Sequence, residues 1–484
     1  MADTSDASEM DANDSTSCTE SESAAQGTGR RAQCLATLVS SFGLMIDYYD
    51  FGVMNVVKSF LQEQYGEMSA AQNSTLSVSS LAGAVAGMLV IGSLGDRYGR
   101  RSMFIVCATL TFAGAALSAC AWDDGNGSIY DLLTLFRALM GFGIGGEYPI
   151  SASHTAENAD SDTSSRNLAL VVSALSVGAA LAPMVVLMIL TLGGSSEFTW
   201  RFAFGFGALC SLISLSLRLM FVEDSEKFKK EQYRNELEGF RQSIRKLRKY
   251  AKPLLGTCGA WLLYDIVDYG LALFSASFAE KATGATPKRA VASVLQYALM
   301  ALPGAFVAVA IVPLIGRKQT YLLGTGCMMV VFIVLSTFFH EITKSLALYN
   351  FVYGLQLFFD VAGPCVTSFM IPGEIFPTAV RATAMGLSAS SGKVGAVIGV
   401  YAVGLLQANI GVQHMFLVLA GICFVALVHV AALVPNYNNR TLEYLEQVDR
   451  EGSKEDLYAW LYGGGTRGKG PWAGKSAQDA PAEA

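Results

Sequence analysis

The segment WLLYDIVDYG, residues 261–270, sets Asp265 and Asp268 inside an apolar stretch that runs from Pro253 to about Phe278. An apolar run of about 20 residues can cross a bilayer as a helix. An acid near its centre costs about 2.5–3.5 kcal/mol on insertion scales. Trp261, Asp265 and Tyr269 recur at four-residue spacing and share one helix face, with Asp268 at its edge. Acids aimed in one direction suit a water-filled cavity between helices, where they can hold protons while the flanking aromatics grip a ligand. The first apolar run repeats the theme, with Asp47 and Asp50 on one face of LMIDYYDFGV. The fourth reads RALMGFGIGGEYPISAS, with Glu147 and Tyr148 between glycines and Pro149. The glycines let another helix approach, and the proline loosens backbone bonding one turn back. Lys393 stands among small residues in SASSGKVGAVIG. A buried lysine needs an acid partner, a bound anion or a neutral state. The bland alternatives are structural acids satisfied by neighbouring helices and, for Arg137, a side chain snorkelling to a helix end.

The elements that must position these residues follow from composition. The 484-residue chain is 52% hydrophobic and 15% charged, against roughly 25% charged in soluble domains. About twelve apolar runs, the first centred near residue 45 and the last near residue 423, are divided six and six by a Lys/Arg/Glu-rich segment. The fold class expected is all-α, a polytopic membrane protein with twelve transmembrane helices in two six-helix bundles. The bundles are residues 33–222 and 253–434, joined by a charged linker, 223–252. Residues 1–32 include seven acids before the first basic residue, Arg30, and are expected to be disordered and cytoplasmic. They lack the pattern of a cleaved signal, so the first span does the targeting. Residues 435–484, with the Gly-rich GGGTRGKGPWAGKS, are expected to form a flexible cytoplasmic tail.

Arg30, Arg31, Arg97, Arg100, Arg101, the linker, Arg317 and Lys318 fall on one side if both termini do. The positive-inside rule makes that side cytoplasmic, which fits a multi-pass protein of the plasma membrane. The sequons at Asn73 and Asn126 then fall on an external, glycosylated face. Nine scattered cysteines and four histidines make no CxxC pair and no metal-ligand spacing. No phosphate-cradling loop stands ready for ATP, and no nucleophile–base pair is visible. The sequence therefore predicts no metal, no cofactor and no enzyme. It predicts a monomer whose partners are a small anion, protons and lipid, without nucleic acid.

Between the second and third spans stands GSLGDRYGRR, residues 92–101. Its glycines allow a tight turn, and Asp96 can pair with Arg100 or Arg101 or cap a helix end. Such a cluster either latches helix ends in one conformational state or is a solvated loop that sets topology. GxLGDRxGRR at this place resembles the signature loop of the major facilitator superfamily. The second half keeps only IGRK, residues 315–318, with Pro313 where the family has an acid. GGEYPISA is similar to the GGDYPLSA signature of the phosphate:proton symporter family within it, with Glu147 for Asp. The W-x3-D-x3-Y pattern of Trp261, Asp265 and Tyr269 resembles that family's seventh helix, where these residues face substrate. Asp47 and Asp50 resemble its first-helix D-x-Y-D segment, in which the first acid is the proton-relay candidate. SGKVGA resembles its SGKxGA, whose lysine helps hold the anion. PGEIFPTAVRATAMG resembles the superfamily's loop between the tenth and eleventh helices, where Glu374 and Arg381 are expected to pair as a gate. Two positions depart: the family's substrate glutamine aligns with Leu175, and its GPN asparagine with Cys365. With fewer amide donors the pocket suits a different or bulkier anion, such as an organophosphate.

The resemblance implies proton-coupled symport, by alternating access, of inorganic phosphate or a related phosphate-bearing anion. It assigns substrate binding to Tyr148, Trp261, Asp265, Tyr269 and Lys393, and proton coupling to Asp47, Asp50, Glu147 and Asp265. Gating falls to Asp96, Arg97, Arg100, Arg101, Arg137, Glu374 and Arg381. Inside the bundle Asp47, Asp50, Glu147, Asp265, Asp268 and Asp360 face only Lys393 and Arg137 as cations. They cannot all stay ionised in a low-dielectric cavity, so some carry protons. A second reading is a proton-coupled carrier of a sugar, polyol or organic cation. The unpaired acids fit it, but Lys393 and the seventh-helix pattern weigh against it. A third is a nutrient receptor with a transporter's fold that signals through its tails.

Overall fold

In an apolar surrounding every backbone N–H and C=O must find its partner within the chain, and a helix does this segment by segment. The computed structural model describes residues 6–123, 128–158, 164–225, 228–229, 247–284, 287–436, 457–458 and 461–462, and among these every regular element is helical. The first six spans are α1 (Asp6–Tyr65), α2 (Ala70–Tyr98), α3 (Arg100–Ala119), α4 (Ser128–Asn158), α5 (Ser164–Thr191) and α6 (Ser196–Phe221). After the linker come α7 (Ala251–Ala272), α8 (Pro287–Ile315) and α9 (Arg317–Thr337). The last three are α10 (Leu346–Ile375), α11 (Thr378–Gln407) and α12 (Asn409–Leu433). Ten of these are long and apolar enough to cross a membrane. The other two, α1 and α7, carry the acid pairs Asp47/Asp50 and Asp265/Asp268.

The chain turns between helices where a residue can take a left-handed backbone. Gly99 (φ 96°) separates α2 from α3, and Gly316 (φ 90°) separates α8 from α9; each is followed by an arginine that opens the next helix. The two halves thus repeat one helix–Gly–Arg corner. Span α10 is interrupted: it is α-helical to Asp360, makes a π turn over Val361–Cys365 around Pro364, and resumes from Val366. Proline has no N–H to give the α-helical ladder, and a π turn absorbs the missing bond.

Within the first bundle α2 and α3 pack on α4, and α1 on α5 and α6; in the second α7 packs on α11 and α8 on α10. The bundles meet where α2 crosses α11 and α5 crosses α8. One apolar cluster spans that interface and includes Tyr148, Leu168, Leu175, Trp261, Tyr264, Tyr269, Ala301, Phe369 and Met385. Separate clusters fill the interior of each bundle.

Three segments differ from expectation. The acidic N-terminal stretch is helical from Asp6 and continuous with the first span. The tail is not wholly detached: Leu457 and Leu461 are fully buried beside Tyr250, Ile375, Phe376 and Val434. Their four-residue spacing forms an apolar stripe that the polar composition around them hides. The Tyr462 hydroxyl donates to Leu433 O at 2.9 Å, and Asn436 N to Leu461 O at 3.1 Å. The linker's start is docked as well, since Asp224 Oδ1 accepts from the backbone N–H of Arg100 (2.6 Å) and Arg101 (3.0 Å). The Gly-rich end of the tail, residues 230–246 of the linker and Asn126 lie outside the described residues, as does the side chain of Asn73.

The α2–α4 contact is backbone on backbone. A Cβ added at Gly145 would meet the backbone of Ala84, which cannot rotate away. Overpacking of this kind costs about 1–3 kcal/mol. Gly145→Val is therefore expected to melt several degrees below wild type in a detergent thermal-shift assay. Equal melting temperatures would show that the two helices have slack.

Candidate functional site

At the interface between the bundles the second bundle places a buried lysine, Lys393, 2% exposed. It projects from α11 towards α7, and small residues bring the two helices together: a Cβ at Gly392 would overlap the Trp261 indole. Lys393 Nζ donates to Asp265 Oδ2 and to the Tyr269 hydroxyl, both at 2.9 Å. It also lies 4.1 Å from the Tyr269 ring centroid and 5.4 Å from that of Tyr148 on α4, within cation–π range. Trp261 lies one turn before Asp265 on α7, and its ring centroid is 6.5 Å from that of Tyr148. The five residues expected to bind substrate therefore form one contiguous group at the interface between bundles. Phe369 of α10 closes the wall, its ring 6.1 Å from Tyr148 and 6.4 Å from Trp261. Leu175 and Cys365 pack against the same apolar cluster.

A buried ion pair gives up hydration and recovers it only with good geometry and further hydrogen bonds. Lys393 has both, but Asp265 Oδ1 is left without a partner among the described residues. Asp268 and Asp360 are buried close by and face Tyr264, and Asp360 Oδ1 is also unpartnered among the described residues. Chemically the group offers one ammonium and several phenol hydroxyls to an anion, beside carboxyls able to take up protons.

The first bundle holds a second buried pair. Glu147 of α4 is bonded to Arg218 of α6, and Asp47 of α1 is buried beside the pair. Arg218 stacks over the Phe104 ring at 4.9 Å. Sequence reasoning missed Arg218: in LSLRLMF it reads as a residue snorkelling from a helix end, yet it is 1% exposed. Asp50 stands apart from this trio, accepting from Ser211 Oγ at 3.5 Å. Arg137, expected in the gate, instead bonds the backbone carbonyl of Asp50 and lies 5.5 Å from the Phe204 ring. It lies on α4 well before Glu157, and at 1.5 Å per residue about 30 Å of helix separates it from the latch and the loop at residues 92–101.

At the latch end the two bundles are joined. Asp96 pairs with Arg100 at 2.9 Å and accepts from the backbone N–H of Ala382 (3.2 Å) and Thr383 (2.7 Å). It thus caps α11 of the opposite bundle, where a carboxylate meets the positive helix end. Glu157, at the end of α4, takes Arg100 at 2.8 Å and Arg381 at 3.2 Å. The expected Glu374–Arg381 pair is not formed. Glu374 bonds Arg317 at 2.9 Å, while Arg381 donates to Phe376 O at 3.0 Å as well as to Glu157. The turn at Pro377 sends the two residues towards different helices. The Arg317–Glu374 pair ties α9 to α10 in the second half despite Pro313. Arg97 and Arg101 are exposed. Glu157 was not singled out, because in SHTAEN it looks like an ordinary acid at a helix terminus.

The chain is similar to known proteins over most of its length. The profile of the Major Facilitator Superfamily matches residues 40–371. Glycerophosphoinositol permease 1 of Candida albicans is 30% identical, over 87% of this chain and 86% of that protein. Inorganic phosphate transporter PT2 of Toxoplasma gondii is also 30% identical, over 82% of this chain and 71% of that protein. The solved proton:xylose symporter XylE bound to 6-bromo-6-deoxy-D-glucose superposes with TM-score 0.74 at 18% identity, covering 87% of this chain and 99% of that one. At that identity the likeness speaks to the fold.

The latch generates a test. Glu157→Gln removes a charge that two buried arginines share, and losing one partner of a buried pair costs about 3–5 kcal/mol. The bundles are expected to part at this end. Spin labels at the latch ends of α3 and α11 should shift from a short to a long distance as the dominant population. Identical distributions in mutant and wild type would strike Glu157 from the latch.

Proposed function

The chain belongs to the major facilitator superfamily, and we propose that this multi-pass membrane transporter carries a phosphate-bearing anion together with protons by alternating access. The observation that carries the reading is Lys393: a buried ammonium at the bundle interface, held by Asp265 and Tyr269 and walled by Tyr148, Trp261 and Phe369. An anion arriving there competes with Asp265 for the same cation. A proton taken up by Asp265 frees Lys393 for the anion and removes the repulsion between the two acids' charges. Tyr148 comes from the first bundle and Lys393 from the second, so a ligand between them is gripped by both. Gripping from both sides is what lets one bundle rock against the other around a fixed site. The Asp96–α11 cap and the Glu157 bridge close one end while the other opens.

Among phosphate-bearing anions, a phosphodiester with a hydroxyl-rich group fits better than inorganic phosphate. Leu175 and Cys365 offer no amide donors to a small oxyanion, and Asp268 and Asp360 accept hydrogen bonds beside it. The similarity to a glycerophosphoinositol permease and to a phosphate transporter supports this substrate class. The clustering of basic residues on the latch face supports a cytoplasmic latch and cytoplasmic termini. The protein acts as a monomer, each chain holding a complete site.

Uptake into liposomes tests the reading, with labelled phosphate and glycerophosphoinositol offered with and without a proton gradient. Wild type should accumulate at least one of them when the gradient is present. Removing one member of a buried charged pair costs about 2–5 kcal/mol, or roughly 30-fold or more in affinity. Lys393→Ala should lose anion binding by that factor, whereas Asp265→Asn should keep some binding and lose coupled turnover. Undiminished affinity in Lys393→Ala would overturn the anion site and favour a sugar or cation. No uptake of any substrate would favour a receptor.

A further inference from the structure

Two carboxyls and one guanidinium meet in the first bundle. Asp47, Glu147 and Arg218 are 2%, 1% and 1% exposed. Glu147 is bonded to Arg218, and Asp47 faces both of them. Two buried carboxyls beside one guanidinium leave a negative charge uncompensated unless one of them carries a proton. The trio is then neutral as a whole: one positive charge, one negative charge and one proton. Gly43 stands one turn before Asp47, and a Cβ there would strike both the Glu147 carboxylate and the Arg218 guanidinium. The backbone of α1 therefore lies directly on the pair. Asp47 Oδ2 and Arg218 Nε are both buried without partners. The other titratable groups facing Asp47 include Asp50 on the same helix, Cys107 on α3 and Tyr148 on α4. Tyr48, the next residue on α1, faces Asp268, Tyr269 and Tyr148 of the substrate wall.

We propose that Arg218 is the coupling cation of the proton site: it holds Glu147 ionised and leaves Asp47 as the group that takes up and releases the transported proton. When Asp47 gives its proton to the aqueous side, the new carboxylate has one cation within reach. The unused Nε of Arg218 receives it, so that Arg218 bridges both carboxylates and draws α1 onto α4 and α6. When a proton returns to Asp47, the bridge falls back to the Glu147 pair, and α1 is free to move with Tyr48. One proton is carried here per cycle. A second would neutralise Glu147 and leave Arg218 buried without a counter-charge. Arg218 is thus a positioning residue that acts through Asp47 and Glu147, and it gives α1 two positions that differ by one proton.

The inference rests on the proton-coupled reading above, and one experiment separates the two. Wild type, Arg218→Gln and Arg218→Lys are reconstituted with a pH-sensitive dye inside the liposomes. Labelled phosphate or glycerophosphoinositol is supplied, whichever the wild type accumulates. Accumulation under a proton gradient is compared with exchange at equal pH. If wild type moves no protons with substrate, the coupled reading itself falls. Otherwise Arg218→Gln should lower the ratio of accumulation to exchange at least ~10-fold and flatten the pH dependence of exchange, with partial recovery in Arg218→Lys. A purely structural role would depress accumulation and exchange together and leave their ratio and pH profile as in wild type, which overturns the proposal. Should Arg218→Gln fail to reach the membrane, the double variant Glu147→Gln/Arg218→Gln removes both charges at nearly constant volume. A wild-type ratio in that protein also overturns it, and a lowered ratio supports it.

Discussion

A charge carried into an apolar bundle must meet its opposite within a few ångströms, and the interior of this protein is arranged around that requirement. Lys393 meets Asp265, Arg218 meets Glu147, Arg100 and Arg381 meet Glu157, and Arg317 meets Glu374. In each case the cation and the acid come from different helices. Neutralisation therefore also ties α11 to α7, α6 to α4, α3 and α11 to α4, and α9 to α10. A proton or an anion that dissolves one of these pairs changes which helices are held together. That links the chemistry of the site to the movement of the scaffold without any further device.

The two halves use the same parts, though not identically. The arginine that opens α3 reaches the acid that ends α4, and the arginine that opens α9 reaches the acid near the end of α10. Each corner is made possible by a left-handed glycine just before the arginine. The asymmetry lies in Asp96. It caps the start of α11 across the bundle interface, and its counterpart in the second half is Pro313, which can offer no such bond. The join at the latch end is therefore built mostly from residues of the first half gripping the second.

Much of this was legible in the sequence, for a physical reason. Hydropathy and the charged linker give the two six-helix halves, because a bilayer-spanning helix must be apolar over a fixed length. The four-residue spacing of Trp261, Asp265 and Tyr269 puts them on one face because helical geometry does so in any context. What could not be read was the choice of partner across long separations. Arg218 lies 71 residues from Glu147, and Glu157 lies 57 from Arg100, so no local pattern joins them. Proximity in sequence misled in the other direction. Glu374 and Arg381 are neighbours along the chain, but the turn between them gives each a different partner. Phe369 is hidden for another reason: an aromatic in an apolar helix carries no mark of the side it faces.

The π turn in α10 bears on that last point. Each residue of an α-helix advances about 100° around the axis, and a π turn takes in one residue more than the α-helical path allows. The helix therefore changes phase between Asp360 and Val366. Residues before the turn and residues after it obey the same period with a different origin. Asp360 is set by the first origin, beside Tyr264; Phe369 and Glu374 are set by the second, against Trp261 and Arg317. A helical wheel drawn through the whole span assigns the wrong faces to everything after the turn. Loss of a single residue there would keep both segments helical and apolar, yet rotate the aromatic wall of the site away from Lys393.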